Sequence, residues 1–199
     1  MSLFKKSIQS YSDEELMRSF IEEHRNEAIE EIYYRYADKL IGYFFKMFDG
    51  DEAKAKDFLH DLFVKVMERK SQYDPSRRFY TWVFTIASNM CKTDFRKPLL
   101  TKVSDSESAL LKISFSSEKE WDQQQFRKSL HSAVHQLDHH HKVTFILKHQ
   151  QGCTLQEIAD ITETSLGTVK SRLFYATKIM SEKLKSYGPN TTENSFKIS

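Results

Sequence analysis

Apolar residues recur three or four positions apart from Leu16 through Ile29, Ile32, Tyr33, Tyr36, Leu40, Phe44 and Phe48. That spacing places them on one face of a helix. Asp49-Gly50-Asp51 then predicts a turn or helix stop. A second helix is expected to bury Phe58, Leu59, Leu62, Phe63, Val66 and Met67. Tyr73-Asp74-Pro75-Ser76 breaks it, because a proline disfavours helical dihedrals in the residue before it. A third helix, from about Phe79 to Phe95, turns Val83, Ile86, Ala87 and Met90 inward, and Pro98 ends it. Between Leu99 and Gln125 serines sit among acids and scattered leucines with no sustained period, which predicts a flexible linker. Helical spacing resumes at Phe126 and runs in shorter pieces to about Tyr187, before a polar tail. The expected fold is all-α. Two small helical domains, 10–97 and 126–187, are joined by the linker 98–125 and followed by a disordered tail, 188–199.

Composition supports helices, since Gly 5 and Pro 3 are few in 199 residues. No apolar run approaches the roughly 20 residues that a membrane span needs. Met1 to Ser12 has lysines without an apolar stretch after them, so it does not read as a signal peptide. Cys91 and Cys153 stand far apart and form no Cys-x-x-Cys pair, which fits a reducing compartment. The expected location is cytoplasmic.

The net charge of +2 is an average over segments of opposite sign. Asp49 to Glu68 carries −3, Arg69 to Lys97 +5, Pro98 to Gln125 −2 and Ser165 to Lys185 +4. Two basic patches separated by an acidic stretch suggest two contacts with a polyanion. Ordinary solvated faces would also produce such patches.

The second basic patch lies in Thr154-Leu-Gln-Glu-Ile-Ala-Asp-Ile-Thr162 and Ser165-Leu-Gly-Thr-Val-Lys-Ser-Arg-Leu173, the layout of a helix-turn-helix. Thr154 can cap a first helix in a capping box with Glu157, and Ser165 can cap a second. Ile158 and Ile161 face inward, Ala159 permits close crossing, and Val169 and Leu173 anchor the second helix. Ser165, Gly167, Thr168, Lys170, Ser171, Arg172, Tyr175 and Lys178 are then candidates for a duplex-reading surface. A helical hairpin with a solvated basic face is the plainer reading. Many such turns carry Gly where Glu163 stands, so either the turn is distorted or another residue takes the unusual dihedral.

The first basic patch has a polar stripe of Thr85, Asn89, Lys92 and Arg96, flanked by Phe79, Tyr80 and Trp82 and preceded by Arg77 and Arg78. Rings that stack on unpaired bases, beside cations that hold phosphates, suit single-stranded DNA. The alternative for the aromatics is burial in the core. On the preceding helix, Asp57, Asp61 and Lys65 repeat opposite the apolar side. An acidic ridge cannot favour DNA and suits a protein partner; taken without the neighbouring motifs, it reads as a solvated face.

Together these segments resemble the extracytoplasmic-function branch of the sigma-70 family. Asp57-Phe-Leu-His-Asp-Leu-Phe-Val-Lys-Val-Met67 resembles its polymerase-clamp helix. Phe79-Tyr-Thr-Trp-Val-Phe-Thr-Ile-Ala-Ser-Asn89, with Asp94 and Arg96, resembles its promoter-melting helix. Glu157-Ile-Ala and Gly167-Thr-Val-Lys-Ser-Arg-Leu173 resemble its helix-turn-helix. The resemblance implies a non-enzymatic subunit that binds core RNA polymerase at clamp and flap. Asp57, Asp61, Leu62, Phe63 and Lys65 would grip the clamp. The first domain would melt and read a −10 element, and the second would read a −35 duplex. It further implies promoter DNA as partner in duplex and melted form, and an anti-sigma factor, often membrane-associated. No cofactor is implied.

The sequence departs from the family where Leu137-Asp-His-His-His-Lys142 replaces a usual Leu-Pro, and where Tyr175-Ala-Thr177 replaces a basic pair. Three adjacent histidines point different ways on a helix, so no metal site is expected. A conventional helix-turn-helix regulator would explain the second domain, but not the Asp57/Asp61 ridge with Trp82 and Asn89.

Overall fold

The computed structural model describes residues 7–96, 126 and 129–185, and all its regular elements are helical. The expected linker and tail fall largely on residues outside these, as do Lys97 and Pro98. Helix α1 (Asp13–Glu22) opens on a capping box. The Ser12 hydroxyl accepts from the Glu15 amide at 3.1 Å, and the Glu15 carboxylate accepts from the Ser12 amide at 2.6 Å. His24 then adopts φ +56°, a left-handed conformation that no helix continues through. The apolar stripe from Leu16 to Phe48 is therefore split between α1 and α2 (Asn26–Met47). Arg35 clasps the two, donating to Glu31 at 2.8 Å, to Asp13 at 2.9 Å and to the Tyr11 and Gln9 carbonyls at 2.9 Å.

Asp49 (φ +56°) and Gly50 (φ +88°) reverse the chain, and Asp51 caps α3 (Glu52–Glu68) by accepting from the Lys54 amide at 2.9 Å. Helix α4 (Phe79–Arg96) begins against α1, where the Glu14 carboxylate accepts from the Phe79 amide at 3.1 Å. That places a negative group at the positive end of the helix dipole. Inside these four helices Tyr43, Phe44, Phe79 and Phe84 are fully buried. Tyr43 meets Phe84 edge-on at 5.5 Å, and its hydroxyl pairs with Ser88 Oγ at 3.0 Å. Ring pairs of this kind add about 0.5–1.5 kcal/mol beyond the area they bury.

Two sequence expectations are corrected here. Tyr33 and Met67 were assigned to the buried faces, yet they are 47% and 44% exposed. Tyr33 lies at the outer edge of the α2–α3 seam, leaning on Phe63 at 4.7 Å between ring centres. Met67 occupies the last turn of α3.

The C-terminal helices are α5 (129–135), α6 (His139–His149), α7 (Leu155–Thr162) and α8 (Leu166–Lys183). They do not stand apart from the first four. Val143, Ile146, Leu147, Ile158, Ile161 and Val169 belong to the same buried apolar cluster as Phe84 and Ala87. Helix α7 lies along α4, and α6 touches α2 and α4.

Candidate nucleic-acid interface

In the helix-turn-helix both caps form as the residue pattern predicts. The Thr154 hydroxyl accepts from the Glu157 amide at 3.2 Å, while Glu157 accepts from the Thr154 amide at 2.9 Å. These bonds, the amide first, hold the Glu157 carboxyl below its ordinary range. Ser165 Oγ accepts from the Thr168 amide at 3.1 Å and opens α8. Between the helices Glu163 itself takes the left-handed conformation, φ 52° and ψ 46°, in place of the glycine common there. The turn is thus regular in shape, and the Thr164 amide closes it onto the Ala159 carbonyl at 3.0 Å.

Val169 and Leu173 are buried beneath α8, so the opposite side is presented outward. Ser165, Gly167, Lys170, Ser171, Tyr175 and Lys178 are exposed there, and Thr168 and Arg172 are half-buried. Each of these side chains is therefore on or beside a single outward surface of a capped helix.

On α4 the aromatics divide. Phe79 is fully buried and serves the core, against Tyr36 at 5.0 Å and Tyr73 at 6.0 Å. Tyr80 and Trp82 are half-buried, and Trp82 leans on Tyr73 at 5.2 Å. Asn89 and Arg96 are exposed, Thr85 and Lys92 half-buried. The preceding turn is shaped by Asp74, which accepts from the Ser76 amide at 2.9 Å and hydroxyl at 2.8 Å. Those bonds lower the Asp74 carboxyl below its usual range. Tyr73 donates to the Arg77 carbonyl at 2.8 Å, so Arg77 and Arg78 project from an ordered turn.

On α3, Asp57 and Asp61 are exposed and Lys65 is half-buried. Leu62 and Phe63, grouped with them in the sequence reading, are 0% and 6% exposed. They pack beneath the ridge, so the side of α3 presented outward here is the polar one.

The C-terminal helices also cover part of α4. Arg78 is ion-paired with Glu157, and Tyr80 Oη lies 3.3 Å from Cys153 Sγ. Asn89, Lys92, His140, Thr164 and Arg172 line one cleft of about 130 Å³. Burial first, and then Arg172, lowers the basicity of His140 there.

Two family models match this chain, that of Sigma-70 region 2 over residues 32–98 and that of Sigma-70, region 4 over 127–180. The chain belongs to the sigma-70 family. Within it, the chain is one of the extracytoplasmic-function (ECF) sigma factors. It is 24% identical over 161 residues to the RNA polymerase sigma-H factor of Pseudomonas aeruginosa, covering 76% of this chain and 83% of that one. It is 26% identical over 174 residues to the ECF RNA polymerase sigma factor SigL of Mycobacterium tuberculosis, covering 87% and 91%. Among solved structures, CnrH in complex with the cytosolic domain of CnrY matches with a TM-score of 0.67 and 19% identity, over 88% of this chain and 99% of that one. The sigma factor RpoE bound to the anti-sigma factor NepR, from Bartonella quintana, gives 0.61 and 22%, over 78% and 96%.

The sequence reading of this sigma factor passed over some surface residues. Tyr34 is 82% exposed on α2, beside Tyr33, and Phe174 is 57% exposed next to Tyr175 on α8. Adjacent aromatics, which a helix cannot both turn to the same face, were the available signal.

Proposed function

We propose that this sigma factor binds core RNA polymerase, carries it to promoters and opens them, adding no catalytic chemistry of its own. The α3 ridge of Asp57, Asp61 and Lys65 docks on the polymerase clamp, with Leu62 and Phe63 holding the ridge in place from below. Helix α8 enters the major groove of the −35 element with Thr168, Lys170, Ser171 and Arg172, while Ser165, Gly167, Tyr175 and Lys178 meet the flanking backbone. Arg77, Arg78, Tyr80, Trp82, Thr85, Asn89, Lys92 and Arg96 capture the melted −10 strand, with Phe79 fixing the start of their helix. Flipping a base out of the stack costs a few kcal/mol, which stacking on rings at about 1–3 kcal/mol per base can offset.

The observation that carries this reading is the pairing on one chain of two differently built basic surfaces with a separate acidic ridge on α3. The capped outward face of α8 suits intact duplex, and the aromatic and amide face of α4 suits unpaired bases. An anti-sigma protein that covers these surfaces is the natural regulator. Two fold neighbours are solved in complexes with the cytosolic domain of CnrY and with the anti-sigma factor NepR. The setting is the cytoplasm, with polymerase and DNA; no described helix is long and apolar enough to cross a membrane.

Run-off transcription on sheared genomic DNA, with purified bacterial core polymerase, tests the reading. Discrete transcripts are expected only when chain and core are both present. Tight duplex binding by the chain alone, with no transcript, would support a conventional helix-turn-helix regulator instead.

A further inference from the structure

Three cations that reach from one element to another each meet a carboxylate. Lys54 of α3 pairs with Asp94 of α4, Arg78 of α4 with Glu157 of α7, and Lys142 of α6 with Asp49 in the turn before α3. Lys92 of α4 and Arg172 of α8 break that pattern. Both line the cleft of about 130 Å³, both are half-buried, and neither has an ion-pair or hydrogen-bond partner among the described residues. Their charges reach the neighbouring rings. After burial, Arg172 and then Lys92 lower the basicity of His140, against the opposing pull of Asp138.

Little negative charge is available to answer them. Asp138 caps α6 and is committed to His141, accepting from its amide at 2.9 Å and meeting its Nδ1 at 2.7 Å. Glu163 is the one acid among the described residues that line the cleft, and it is exposed. Asn89 and Thr164 add neutral hydrogen-bonding groups to the same walls.

Two like charges held around one small cleft favour an anion between them. The side chains select its kind. A guanidinium matches a phosphoryl group through two parallel hydrogen bonds, and an ammonium adds a point charge. A monocarboxylate answers only one of the two cations, whereas a phosphoryl group carries about −1.5 to −2 at pH 7. The volume admits one or two such groups and not a nucleoside, so anything larger extends out through the mouth.

We propose that the cleft between α4, α6 and α8 is a binding site for a phosphoryl anion, bridged by Lys92 and Arg172 and hydrogen-bonded by Asn89, His140 and Thr164. Inorganic diphosphate and the terminal phosphates of a nucleotide offer the cleft the same atoms. The assignment stands on the geometry of the free chain and does not depend on the promoter reading. Occupied, the cleft ties up two cations that the promoter reading gives to DNA.

The test titrates the full chain with inorganic diphosphate by calorimetry, in magnesium-free buffer at constant ionic strength. Diphosphate should saturate a single site per chain, and acetate should not. Lys92→Met and Arg172→Met remove the charge and keep an apolar stem, and circular dichroism checks that each folds. Each should weaken binding about tenfold, the loss of one charge-assisted hydrogen bond. Lys56→Met, at an exposed cation of α3 outside the cleft, should bind as the parent does. Bound diphosphate should also raise the pKa of His140, followed by the NMR shifts of its ring protons, because an adjacent anion favours the protonated ring. Competition by adenosine triphosphate but not adenosine extends the site to nucleotide phosphates; competition by neither confines it to the free anion. No saturable binding at millimolar diphosphate, undiminished binding by both cleft variants, or an unmoved His140 in the saturated chain would overturn the site. The run-off experiment decides the promoter reading separately, since it needs no diphosphate binding by the free chain.

Discussion

Lys54 of α3 reaches Asp94 of α4 at 2.5 Å, tying the helix that carries the acidic ridge to the helix that carries the proposed melting face. The ammonium also lies 4.4 Å from the Phe48 ring centre, so it is held against an aromatic face at the end of α2. The two proposed surfaces are therefore set relative to one another by a named contact.

Because the partners are 38% and 19% exposed, their attraction is largely screened by water. A double-mutant cycle with Lys54→Ala and Asp94→Ala should give a coupling of about 0.5–1 kcal/mol in urea unfolding. A coupling near zero would mean that packing alone positions α4.

Glu163 carries the left-handed turn of the helix-turn-helix. That conformation costs an L-residue roughly 1–2 kcal/mol, while a glycine gives up about 0.5–1 kcal/mol of chain entropy. Glu163→Gly should therefore raise stability by about 0.5–1 kcal/mol, and the β-branched Glu163→Val should lower it by a similar amount or more. Thermal unfolding of the three proteins reads the order directly.

The duplex-reading assignment predicts different behaviour for two cations on α8. Lys170 is exposed, and Lys170→Ala should reduce the salt dependence of holoenzyme binding to a −35 duplex by about one logarithmic unit, as loss of one phosphate contact does. Arg172 lies beside the cleft. If Arg172→Ala alters base preference at an unchanged slope, it reads a base edge; a flatter slope assigns it to phosphate. Titration of binding against salt distinguishes them.

His139 gives the packing of α6 on α4 a pH dependence. Its ring lies 4.9 Å from Phe95, its Nδ1 is buried without a hydrogen-bond partner, and burial lowers its pKa to about 4. His140, Lys92 and Lys142 add to that lowering, and Asp138 opposes it. A depressed pKa means that the neutral ring fits the folded protein, whereas the unfolded chain takes up a proton near the ordinary value of 6.5. The contribution to stability is complete above 6.5 and is lost as pH falls through 6.5 towards about 4. Urea unfolding at pH 7.5 and 5 should show a loss of stability in acid, and His139→Phe should remove part of it.

The local features of this fold were legible because they depend on neighbours in sequence. The capping box at Thr154, the cap at Ser165, the inward Ile158 and Ile161, and the outward Lys170 all follow from three- and four-residue spacing. The sequence reading allowed that some residue would take the strained dihedral, and Glu163 does. The break at His24 was not legible, since the apolar spacing continues across it and only the Arg35 clasp shows why the chain turns back. Nor was the packing of one half on the other. The Asp49–Lys142 bond joins residues 93 apart, and both read locally as ordinary surface charges. Leu62 and Phe63 followed family spacing onto a contact surface, while the geometry places them beneath it.

The central claim, that one chain serves both intact and melted promoter in partnership with polymerase, is tested most directly by permanganate footprinting of unpaired thymines. The template is a promoter recovered from the run-off experiment, probed with core alone, chain alone, both together, and core with Asn89→Ala. Thymines around the −10 element should react only with core and chain together, and Asn89→Ala should suppress that reactivity while still co-purifying with core. Reactive thymines with core alone, or wild-type chain and core bound to the promoter with every thymine protected, would contradict the account.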